Sequence, residues 1–134
     1  MDVARAELPG GSSERIAEEA LAEALRRLCR GSWQGLAREL AWRAVTGGHR
    51  DPRSVEALAG SAEGMLAAEI DEALWEVERS AIRAREEFLE EHPGEVDQAL
   101  AAARLDAGEE AGRLVAAAYD RVLDSLLETT RRAA

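Results

Sequence analysis

The residues able to do chemistry in this 134-residue chain are mostly carboxylates and arginines. Glu86, Glu87, Glu90, Glu91, His92, Glu95 and Asp97 crowd one short stretch. Oxygen donors at that density suit a divalent cation or an Arg-rich partner protein. They equally suit a solvated helix end, where glutamates four residues apart repel each other by roughly 0.2–0.5 kcal/mol. A second acidic row, Glu63, Glu69, Glu72 and Glu76, follows helical spacing. A carboxylate di-iron site needs inward-facing Glu together with Glu-x-x-His. Neither His49 nor His92 stands three residues after a Glu.

What is missing narrows the chemistry further. The chain has no lysine and no asparagine, and all 17 basic residues are Arg. That excludes a P-loop lysine, a Schiff-base lysine and a Lys general base. No C-x-x-C, H-x-x-x-H or E-x-x-H occurs, so no metal and no cofactor is expected. Cys29 stands alone, without an internal disulfide partner, and reads as an unreactive thiol on the rim of an apolar stripe. The net charge of −10 repels phosphate backbones, so nucleic acid is not an expected partner. No 18-residue apolar run and no secretory h-region are visible, and the expectation is a cytoplasmic protein without a membrane span.

Three short matches carry resemblances. Arg43 and His49 fit the loose Arg-to-His spacing of HEPN ribonucleases, which are all-helical and of about this length. That resemblance implies RNA cleavage with Arg43 and His49 as catalytic residues. Ala44 stands where the family has a polar residue, and His49 lies beyond Gly47-Gly48. Trp33-Gln34-Gly35 resembles the Trp-x-Gly turn of small helical-hairpin proteins secreted by type VII systems. Leu123, four residues after Tyr119, replaces the acid of that family's C-terminal signal. Ile70-Asp71-Glu72-Ala73-Leu74 resembles the first helix of helical chorismate mutases, whose active site needs the lysine this chain lacks. A small helical subunit of a nucleoprotein complex is a further alternative. It would gather Arg26, Arg27, Arg30, Arg38, Arg43 and Arg50 on one face.

The elements that position these residues are legible from periodicity. Val55, Ala59, Ala62, Leu66, Ile70, Ala73, Val77, Ala81, Ala84 and Phe88 step 4-3-4-4-3-4-4-3-4. Val96, Leu100, Ala103, Ala107, Ala111, Leu114, Ala118, Val122, Ser125 and Thr129 repeat the same steps. The mean of about 3.67 residues is close to the α-helical 3.6. His92-Pro93-Gly94 separates the two runs with a helix stop and restart. Ser12 or Ser13 can cap a first helix, Gly31 ends it, and Asp51-Pro52 marks a later start. The expected fold is an all-α helical bundle built on a long antiparallel helical hairpin, with two shorter N-terminal helices. The helices fall at about 13–30, 33–46, 52–91 and 95–132, in a single domain over 12–134 after a disordered arm over 1–11.

Folding the hairpin about Pro93 sets Trp75 between Gly108 and Gly112, and Gly60 and Gly64 against Leu126 and Val122, so that large side chains meet small ones. Gly60 to Gly64 is also where the third helix is weakest. The two long helices would each span about 60 Å, and the short ones only about 25 and 20 Å. Short helices of that length leave an apolar seam wet unless a second chain covers it. The functional expectation is therefore a non-enzymatic scaffold or adaptor. It would self-associate, by default as a dimer, and dock a partner protein through Trp42 and through Glu86, Glu87, Glu90, Glu91 and Glu95.

Overall fold

The computed structural model describes residues 13–29, 33–45 and 52–133. The described elements are four helices: α1 (Ser13–Cys29), α2 (Trp33–Ala44), α3 (Pro52–Glu91) and α4 (Val96–Ala133). No strand occurs among the described residues. The arm over 1–11 and the loop that holds His49 lie outside them.

Local chemistry sets the helix ends. Glu14 lies in the first turn of α1, and Arg26 and Arg27 in its last, each favourable to the helix dipole. Pro52 opens α3, where a missing N–H costs nothing. At the other end the His92 N–H donates to the Phe88 carbonyl at 2.8 Å, and the Glu95 N–H closes a tight turn on the His92 carbonyl at 3.2 Å. Gly94 takes φ +89°, a conformation that a side chain would strain. The Ala99 N–H donates to the Glu95 carbonyl at 3.0 Å as α4 begins.

Helix α3 runs unbroken through Gly60 and Gly64. Two mid-helix glycines cost about 2 kcal/mol against alanine. Complete burial of Leu66 and near-complete burial of Val55 on the same helix face offset that cost.

Helices α3 and α4 pack closely. Ala62 and Leu66 share a core with Val122 and Leu126, Glu69 meets Arg121, and Ser80 meets Asp106. The short helices lie one after the other along this pair. Ile16, Ala17 and Leu21 of α1 pack on Ile70, Ala73, Val77 and Ala81 and on Ala103, Ala107, Ala111 and Val115. Leu36, Ala37, Leu40 and Ala44 of α2 cover Ala62, Leu66, Val122 and Leu126. Ala41 and Val45 close the end over Val55. The bundle is thus three helices thick at each of these levels, and its alanine-rich core permits close approach.

This arrangement corrects the argument from lengths. The short helices do not flank the long pair on two sides; in series they cover one side. The other side is not an apolar seam. It is bridged by Arg121 on Glu69 at 2.6 Å and by the Ser80 hydroxyl donating to the Asp106 carboxylate. The residues from Val55 to Ala81 that carry the apolar beat face inward as core.

The second run differs in register at both ends. Ala99, Val115 and Leu126 are buried, whereas Val96, Ser125 and Thr129 are exposed. The buried stripe of α4 drifts roughly half a turn along the helix, because it meets α1 at one level and α2 at another.

Candidate interaction surface

Trp75 does not sit over Gly108 and Gly112. A Cβ built on either glycine has no heavy atom of a neighbouring element within 4 Å, and Trp75 is 60% exposed. The reason is angular. Trp75 lies two residues from each of the core residues Ala73 and Val77, about 200° round the helix. The Arg79 guanidinium lies over its ring at 4.8 Å instead. Gly60 and Gly64 are likewise exposed, with no close neighbour at the Cβ position, so neither receives a side chain from α4.

The acidic residues Glu86, Glu87, Glu90, Glu91 and Glu95 are all exposed around the α3–α4 turn. His92 Nδ1 lies 3.2 Å from the Glu95 carboxylate, and its ring stacks obliquely on Phe88 at 4.7 Å between centroids. Among the described residues no group of three or more His, Cys, Asp or Glu is placed to hold a metal ion. No described helix is long and apolar enough to cross a membrane.

Arg43 is part of a junction between α2 and α4. It approaches Glu39 at 3.6 Å and lies over the Tyr119 ring at 5.7 Å, while the Tyr119 hydroxyl donates to Glu39 at 3.3 Å. Burial pushes the Tyr119 hydroxyl above the usual phenol range. His49, its expected catalytic partner, lies outside the described residues. Arg26 and Arg27 bind Glu23, and Arg38 binds Glu56. These arginines are therefore tied to carboxylates. Trp42 is 40% exposed on α2.

A surface that the periodicity did not single out lies along α4. Ala101, Leu105, Gly108, Gly112 and Ala116 are all exposed, and Leu105 is 69% open. All but Ala101 line a groove of about 610 Å³ between α4 and α1, whose opposite wall includes Ala20, Ala24 and Leu28. A signal for it existed in the sequence. Leu105 stands two positions from both Ala103 and Ala107, about 200° from the core face, where a leucine has no structural duty.

The rim of the groove is charged. Glu23 is bound by Arg26 and Arg27. Arg104 and Glu109, by contrast, make no ion pair among the described residues. Elsewhere, between α3 and α4, lies a polar groove of about 600 Å³ that includes Arg79, Ser80, Arg83 and Asp106.

No known protein family, curated protein or solved structure matches this chain.

Proposed function

We propose that this chain is a non-enzymatic helical scaffold, built on a long antiparallel hairpin, that works by self-association and by docking a partner protein. The observation that carries this reading is the α1–α4 groove. It combines an exposed leucine, two glycines and exposed alanines in one continuous apolar strip beside Arg104 and Glu109, which make no ion pair among the described residues. Soluble chains expose contiguous apolar strips chiefly where something binds. The lack of lysine and the engagement of Arg43 with Glu39 and Tyr119 favour a binding role over a catalytic one. The acidic α3–α4 turn is the face offered to a basic partner, through charge complementarity. Light-scattering mass across a concentration series tests self-association. A mass that rises above the 14.5 kDa of one chain supports it, and a constant monomer up to hundreds of micromolar overturns it.

A further inference from the structure

We infer that the groove between α1 and α4 receives α4 of a second copy of this chain, in parallel orientation about a two-fold axis that runs along the helices. This inference rests on the scaffold reading above and names the occupant of its groove. The exposed apolar positions Ala101, Leu105, Gly108 and Gly112 are spaced 4-3-4, the interval at which one helix presents a seam to another. Leu105 of each copy then packs beside its symmetry mate, between the small residues Ala101 and Gly108 of the facing helix. The glycines let the two backbones approach, since nothing occupies the space where their Cβ atoms would be.

Charge decides the orientation. Arg104 and Glu109 lie on opposite shoulders of the seam, five positions apart, too far round one helix to bind each other. Arg113, four positions after Glu109, is held by Glu110 at 2.7 Å. In a parallel pair, a residue on one shoulder faces the partner residue five positions later on the other. Arg104 of each copy therefore meets Glu109 of its mate, and symmetry makes the ion pair twice. In an antiparallel pair each shoulder faces its own like, so Arg104 and Glu109, on opposite shoulders, cannot meet. The α1 wall fits the same arrangement. Each copy's Ala20, Ala24 and Leu28 border the groove that the incoming helix fills, so α1 and α4 of both copies meet as four helices inside a six-helix cross-section. The seam from Ala101 to Ala116 is about 24 Å long, which is small for an interface and implies a dissociation constant on the order of micromolar.

The test is sedimentation equilibrium on the full chain and four variants, with helical content checked by circular dichroism. Leu105→Asp changes an exposed side chain, so the fold is retained and the dimer is lost. Arg104→Glu and Glu109→Arg each weaken the dimer about tenfold, and the double variant, which restores opposite charges, recovers to within about threefold of the parent. Under oxidation, Ala101→Cys in a Cys29→Ser background cross-links to itself in a parallel pair. A dimer indifferent to Leu105→Asp overturns this groove assignment while leaving self-association standing. Loss of the dimer in Leu105→Asp, with neither charge-swap rescue nor cross-linking of the Ala101→Cys variant, overturns the parallel orientation. A chain that is monomeric at every concentration overturns both this inference and the self-association reading.

Discussion

At the residue scale, the clearest electrostatic device is the link between Glu69 of α3 and Arg121 of α4. The hydrogen bond from Arg121 holds the Glu69 carboxyl below the usual carboxylate range, and burial opposes this only in part. A carboxyl whose folded value is lowered stabilises the fold above its unfolded value near about 4.3, and that stabilisation is lost as pH falls through the lower folded value. Glu69→Gln should therefore lower Tm by about one or two degrees at pH 7, and the gap should narrow progressively as pH falls below about 4.3. Thermal melts of both proteins across that range check the sign. A gap that widened in acid would contradict it.

Residue types alone did not locate the groove. Leu105 is one apolar residue among many, and only its angle from Ala103 and Ala107 marks it as exposed. The same angular reasoning keeps Trp75 off the Gly108–Gly112 notch. Pairing levels across two helices sets height but not the direction in which a side chain points.

At the element scale, the sequence carried the helices well, because helix ends are set by local chemistry: Pro52, the Pro93-Gly94 turn and the charges that complement the dipoles. What it could not carry was how α1 and α2 are laid against the long pair. Lengths give a sum of coverage and not its direction, so flanking on two sides and stacking in series were equally consistent with the pattern. The polar closure on the far side, by Glu69, Arg121, Ser80 and Asp106, uses residues that look like ordinary solvent-facing groups in one dimension.

The continuity of α3 at Gly60 and Gly64 gives a direct expectation. Neither glycine has a positive φ, and a Cβ at either meets open space. Gly60→Ala and Gly64→Ala should each raise stability by about 0.5–1 kcal/mol, additively to within a few tenths if the two sites relax independently. Urea titrations of the single and double variants measure this. A loss of stability in either single variant would show that α3 needs a bend there.

At the scale of the whole molecule, the fold is two cores in series on shared long helices, one under α1 and one under α2. The parallel pairing inferred above has a consequence for the ends. Both acidic turns come to the same end of the assembly, so a basic partner meets Glu86, Glu87, Glu90, Glu91 and Glu95 from two copies at once.

The placement of α2 also carries a kinetic consequence. The long helices are joined by a tight turn, whereas the contact between Glu39 and Tyr119 closes a loop of 80 residues. The entropy of that closure exceeds the turn's by about 2–3 kcal/mol. The long pair should therefore assemble first and the N-terminal helices settle onto it afterwards. Leu40→Ala, which opens the fully buried α2 core at a cost of about 2–5 kcal/mol, should then appear mainly as faster unfolding, with the refolding rate almost unchanged. A chevron in which Leu40→Ala slows refolding by the full equilibrium loss would reverse that order. A protein that folds in this sequence sheds its α2 contacts before its central pair. The contacts among Arg43, Glu39 and Tyr119, at the end away from the acidic turn, should then be lost before those of the central pair.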